Sequence, residues 1–147
     1  MDTAPKSVLL VDDNADLLDL LARALTYLGQ FSVLRAEDGE KGLELAVASH
    51  PDCIVVDIMM PGLDGFRLVR ALRGDPDTAD IPVVMLTAMA EDRHRLAGLL
   101  SGADHYLVKP VKPQELIAAI AQATAFSSQE RTSRLRSLVE GDEADTL

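Results

Sequence analysis

Short apolar runs alternate along this chain with segments in which leucine, valine or isoleucine recurs every three or four positions. The runs predict strands over Ser7 to Val11, Phe31 to Ala36, Cys53 to Val56, Pro82 to Leu86 and His105 to Val108. The first, third and fourth are almost unbroken, the pattern of strands covered on both faces. The second, FSVLRA, mixes polar with apolar residues and predicts an edge strand.

The intervening segments have helical period. Leu17, Leu18, Leu21, Leu25 and Leu28 fall on one stripe, with Asn14 placed to cap its start and Gly29 its end. Gly39 to Ser49 predicts a second helix, stopped by Pro51. Phe66, Val69 and Leu72 mark a third, ended by Gly74-Asp75-Pro76. A fourth is expected around Glu91 to Ser101, on Leu96, Leu99 and Leu100. A fifth opens at Pro113 and runs through Leu116, Ile117 and Ile120. This alternation predicts right-handed crossovers and an α/β fold with a doubly wound parallel sheet.

The pattern divides the chain at about Ala125. Residues 1–126 form the expected domain, and residues 127–147 a C-terminal tail or linker with three arginines and an acidic end. Ser127 and Glu130 have capping-box spacing, and Leu135, Leu138 and Val139 supply an apolar stripe. One more short helix and an unstructured extension both fit. The tail is too short for a helix-turn-helix or a catalytic output domain.

Composition narrows the function. A length of 147 residues suits one domain with a real core. Aromatics are only 3% and Trp is absent, so that core must be aliphatic. A net charge of −10 argues against direct binding to nucleic acid or an anionic membrane. The single cysteine, Cys53, excludes an internal disulfide and reads as a small buried hydrophobe. His50, His94 and His105 have no metal-ligand spacing and are expected at the surface. No signal-peptide pattern opens the chain, and no apolar stretch approaches the roughly 20 residues of a membrane span. The expectation is a soluble, cytoplasmic protein.

Candidate chemistry sits at strand ends. Asp12 and Asp13 follow the first strand, Asp57 the third, Thr87 the fourth and Lys109 the fifth. Taken singly, each has an ordinary reading as a cap, a turn or a loop residue. A parallel sheet, however, gathers its strand C-terminal ends at one edge, where ligands bind. Three carboxylates crowded there repel one another unless a cation joins them, and a hard divalent ion suits oxygen ligands. A carboxylate nucleophile accepts a phosphoryl group when a metal and a cation neutralise the developing charge.

The set VDD, VVDIMMPGLDG, VMLTA and YLVKP resembles the receiver domain of two-component response regulators, and covers residues from about Ser7 to Phe126. The resemblance implies a flavodoxin-like five-stranded sheet of order 2-1-3-4-5 with five flanking helices. It implies that Asp57 is the phosphoacceptor, charged by a sensor histidine kinase or a histidine phosphotransfer protein. Mg²⁺ would be held by Asp13 directly, by Asp12 largely through water, by Asp57 and by the backbone carbonyl of Met59. Lys109 would pair with phosphoryl oxygens through a loop whose Lys109-Pro110 bond is typically cis. Thr87 and Tyr106 would form the switch, altering the face of the fourth helix, fifth strand and fifth helix. The resemblance also places Met59 and Met89 at positions that in this family tune the lifetime of the phosphoryl group. Such a domain is not an enzyme, catalysing only its own phosphorylation and dephosphorylation. It signals to a downstream protein or an output domain. The helix QELIAAIAQATA lacks the arginines many family members use to pair, so a monomer or weak dimer is expected. A phosphatase of the haloacid-dehalogenase type fits poorly. It requires Asp-x-Asp, whereas Asp12 and Asp13 are adjacent and Met59 stands two residues beyond Asp57.

Overall fold

The computed structural model describes residues 5–88, 97, 100, 102–125, 133 and 136–140. Five parallel strands form one sheet: β1 (Ser7–Val11), β2 (Ser32–Ala36), β3 (Cys53–Asp57), β4 (Val83–Thr87) and β5 (His105–Val108). Their order is β2-β1-β3-β4-β5, the flavodoxin-like arrangement, with β2 on one edge as its mixed sequence predicts. The crossovers run through α1 (Ala15–Tyr27), α2 (Gly39–Ser49) and α3 (Gly65–Gly74), and β5 leads into a helix over Pro113–Ala125, the Pro113 helix. Ala97 and Leu100 are helical, inside the span expected for the fourth helix, and helical residues recur in the tail at 133 and 136–140. The expectations for Met89, His94, Ser127, Glu130 and Leu135 fall outside the described residues.

The sheet separates two cores. Because strand side chains alternate, Val8, Leu10, Cys53, Val55, Val84 and Leu86 pack against α1 and the Pro113 helix. Leu9, Val11, Ile54, Val56, Val83, Met85 and Tyr106 pack on the α2–α3 side. Every residue of β3 and β4 is buried, which is why those two segments carry no polar residue before their final positions. Truncating one of these, such as Ile54→Ala, costs about 2–5 kcal/mol.

Helix ends follow the sequence with one correction. Asn14 accepts the Leu17 N–H at 3.1 Å and caps α1. Asp38 and Asp64 cap α2 and α3 in the same way. Gly29 is not the left-handed cap of α1: the helix closes at Leu28 in right-handed conformation, and the positive φ falls on Gln30. Gly29 is needed for space instead, since a Cβ there would lie 2.6 Å from the Phe31 ring. His105, expected at the surface, is half-buried within β5.

Candidate functional site

β3 and β4 each extend one residue beyond the predicted strand, so Asp57 and Thr87 are the last rungs of their ladders. Asp57 pairs in register with Leu86, and Thr87 with Val108. Beside them, Asp12 and Asp13 form the short link from β1 to α1. The carboxylates of Asp12, Asp13 and Asp57 each offer an oxygen within 4.8 Å of the others.

Each of these groups is held by its neighbours. The Asn14 N–H donates to Asp12 Oδ1 at 2.9 Å, and the Asp12 N–H reaches Ala36 O at 3.1 Å. The Met59 N–H donates to Asp57 Oδ1 at 3.3 Å, which brings the Met59 backbone alongside the acceptor while its side chain stays exposed. The loop after Asp57 turns sharply back: Gly65 N–H reaches Ile58 O, and a Cβ on Gly65 would sit 2.5 Å from the Asp57 carbonyl oxygen. Only glycine permits that approach.

Lys109 comes in from the far side of the sheet. Its Nζ lies 3.1 Å from Asp12 Oδ2 and 3.4 Å from Asp57 Oδ2. Its N–H donates to the Thr87 carbonyl at 2.7 Å, which ties the start of the β5 loop to the end of β4. The Lys109-Pro110 peptide bond is cis.

The electrostatics follow from this crowding. Burial raises the Asp57 pKa, and the Asp12 charge raises it further. Lys109 and the Met59 N–H offset part of this, leaving the group above its ordinary value. For Lys109, burial works against the ammonium, but the hydrogen bond and charge of Asp12, then those of Asp57, outweigh it and raise its pKa. One lysine thus serves two carboxylates.

The site therefore brings together Asp12, Asp13, Asp57, Lys109 and the Met59 backbone, with Thr87 joined to Lys109 through the main chain. Tyr106 lies elsewhere, buried in the α2–α3 core opposite Met85 in register. Thr87 has the same parity along β4 as Met85 and so belongs to that side of the sheet. Two features were not read from sequence. One is an open cavity of about 450 Å³ lined by Leu17, Leu20, Leu21, Leu86, Lys109 and Pro110, among others. The other is a buried contact between Arg73 and Asp104 at the opposite edge of the sheet. The Arg73–Asp104 pair has no spacing that marks it, because 31 residues separate the partners.

The response regulator receiver domain family matches residues 8–121, and the chain belongs to that family. It is 42% identical over 134 residues to the probable transcriptional regulator ycf27 of Guillardia theta, spanning 87% of this chain and 51% of that one. It is 41% identical over 115 residues to the phosphate regulon transcriptional regulatory protein PhoB of Pseudomonas aeruginosa, spanning 78% and 50%. The chain thus spans about half the length of the curated relatives it matches. Among solved structures it resembles the chemotaxis protein CheY4 of Vibrio cholerae, with a TM-score of 0.77, 31% identity and coverage of 82% and 99%. It also resembles the receiver domain of the sensor histidine kinase PA1611 of P. aeruginosa, with a TM-score of 0.76, 30% identity and coverage of 84% and 100%. That structure holds a magnesium ion coordinated in its active site cleft.

Proposed function

We propose that Asp57 accepts a phosphoryl group from a histidine kinase or a histidine phosphotransfer protein, and that the modified domain signals to a partner protein or an output domain. The observation that carries this is the convergence of three carboxylates and one ammonium at the C-terminal edge of the sheet. Asp57 Oδ would attack phosphorus as the bond from phosphorus to the donor nitrogen breaks. Lys109, already bridging Asp12 and Asp57, is placed to neutralise a phosphoryl oxygen. The Thr87 hydroxyl offers a hydrogen bond to another.

The donor set suits Mg²⁺: hard anionic oxygens from Asp12, Asp13 and Asp57, close enough to share one small ion, with the Met59 backbone beside them. Bound there, the ion would supply charge neutralisation at the phosphoryl oxygens. No helix of the described residues is long and apolar enough to cross a membrane.

The test is intact mass after incubation with a small-molecule phosphodonor and Mg²⁺. One phosphoryl addition is expected on the wild type and none on Asp57→Asn. Undiminished labelling of the variant would defeat the assignment.

A further inference from the structure

Lys109 and Tyr106 depend on where β5 lies against β4, and burial of side chains alone fixes that only in part. It has four residues, occupies a sheet edge, and buries only Tyr106 fully. A strand's register is set by the face it buries, and a one-residue slip turns every side chain to the other side. By burial, β5 presents one fully buried ring to set its register.

A second device sits at the N-terminal ends of the same two strands. The Asp104 N–H donates to Val83 O at 2.7 Å, and the Val83 N–H donates to Asp104 Oδ2 at 2.8 Å. Asp104 thus grips both main-chain groups of the first residue of β4. Arg73, in the last turn of α3, holds that grip in place. Its Nη2 lies 3.3 Å from Asp104 Oδ2, and the side chains are 15% and 1% exposed. The guanidinium also donates to the Gly102 carbonyl through Nε at 3.0 Å and Nη2 at 2.8 Å. Its Nη1 reaches Ala79 O at 3.0 Å and Ile81 O at 2.6 Å. Gly102 has φ +116°, and a Cβ there would meet Arg73 Cγ at 2.8 Å, so this close approach also needs glycine.

We infer that Arg73 and Asp104, at the sheet edge opposite the acidic site, are positioning residues for Lys109 and Tyr106, because they fix the register of β5 on β4. The rigid fork of an arginine suits this better than a lysine, since it spans several acceptors in fixed geometry. Buried ion pairs are weak contributors to stability, and their best attested use is to specify one arrangement over another. From Asp104 to Lys109 is five residues of extended chain, about 16 Å, so the effect on the acidic site travels along the strand.

The consequence for phosphorylation rests on the reading of Asp57 as acceptor, whereas the consequence for Tyr106 does not. The chain has two tyrosines, and Tyr27 is 79% exposed. Fluorotyrosine labelling therefore yields two ¹⁹F resonances, assigned with Tyr27→Phe. Arg73→Gln and Asp104→Ala should each shift or split the Tyr106 resonance and slow small-molecule phosphorylation of Asp57 by at least about tenfold. Asp104→Asn retains an acceptor for the Val83 N–H and should restore both. Leu25→Ala loosens the opposite core and should lower the melting temperature without moving Tyr106. Unchanged Tyr106 and labelling in Arg73→Gln, or equal changes in Leu25→Ala, would overturn the inference. Should Arg73→Gln fail to fold, the two Asp104 variants decide by the same criteria. Absence of labelling in the wild type would overturn the acceptor reading alone, and the Tyr106 resonance would still judge the register.

Discussion

Lys109 reaches Asp57 across the sheet, its Nζ 3.4 Å from Oδ2, although 52 residues separate the two in the chain. The same ammonium lies closer still to Asp12, so in the absence of a metal it is the one charge among the described residues that joins two members of the acidic cluster.

Lys109→Met should therefore destabilise the metal-free protein. Two charge-assisted hydrogen bonds go, and buried carboxylate oxygens lose a partner, a loss of about 1–3 kcal/mol. Urea unfolding at pH 7 in a chelator measures it, and Mg²⁺ should recover part of the deficit. Equal unfolding midpoints for variant and wild type would mean the lysine does not hold the apo site.

Asp57→Asn should have the opposite sign. The folded-state pKa of Asp57 is raised, chiefly by burial and then by Asp12, so its favourable contribution exists below its unfolded pKa and is lost as pH rises through the folded value. At pH 7 the ionised group is a liability that asparagine removes. Without Mg²⁺ the variant should melt above the wild type at pH 7, and the gap should shrink toward pH 4. A gap that widens on acidification contradicts the crowding described here.

Mg²⁺ should raise the melting temperature of the wild type by mass action on the folded state. Asp13 is exposed, whereas Asp12 is buried and already engaged by Lys109 and the Asn14 N–H. Asp13→Asn should weaken Mg²⁺ binding by about tenfold, about 1.4 kcal/mol, and more than Asp12→Asn does. Calorimetric titration of both variants ranks them, and the reverse order would reassign the direct ligand.

Thr87→Ala should keep phosphorylation at Asp57 yet blunt the response of Tyr106. The modification adds about −1.5 to −2 of charge and three acceptor oxygens beside Thr87 and Lys109. A ligand shifts a conformational equilibrium only by its differential affinity for the two states, and Thr87 is the group proposed to sense it. The ¹⁹F resonance of Tyr106 with and without beryllofluoride, in wild type and variant, supplies the comparison. Identical changes in both proteins would remove Thr87 from the pathway.

Cys53 gives a pH dependence far from the site. Burial pushes its thiol up to about 12, with the Asp104 charge adding to the effect. A raised folded pKa means the stabilisation is complete below the unfolded value near 9 and disappears as pH rises toward 12. Over that window each pH unit costs about 1.4 kcal/mol. Cys53→Ala should lose less stability between pH 9 and 12 than the wild type does. A thiol reagent at pH 8 should modify Cys53 no faster than the protein unfolds.

How much of this the sequence reveals depends on how local each cause is. β1, β3 and β4 are legible because two-sided burial writes itself as an unbroken apolar run. Asp12, Asp13, Asp57, Thr87 and Lys109 are legible because a parallel sheet brings strand ends to one edge whatever the details of packing. The end of α1 is not legible in the same way, because Gly29 has two uses and sequence alone does not say whether a glycine supplies a positive φ or room for a ring such as Phe31. The Arg73–Asp104 contact is invisible for a different reason. Its hydrogen bonds go mostly to carbonyls, which every residue has, so no side-chain pattern announces it.

The placement of Thr87 and Tyr106 on the α2–α3 side has a consequence for traffic through the molecule. The five strands act as a bulkhead, with separate cargo packed on either side. A rearrangement that begins at Thr87 and passes to Tyr106 stays in one compartment. On the other side, Leu18, Leu21 and Leu25 of α1 pack against β1, β3 and β4 and not against Tyr106, so a partner that grips α1 meets the same surface before and after the event.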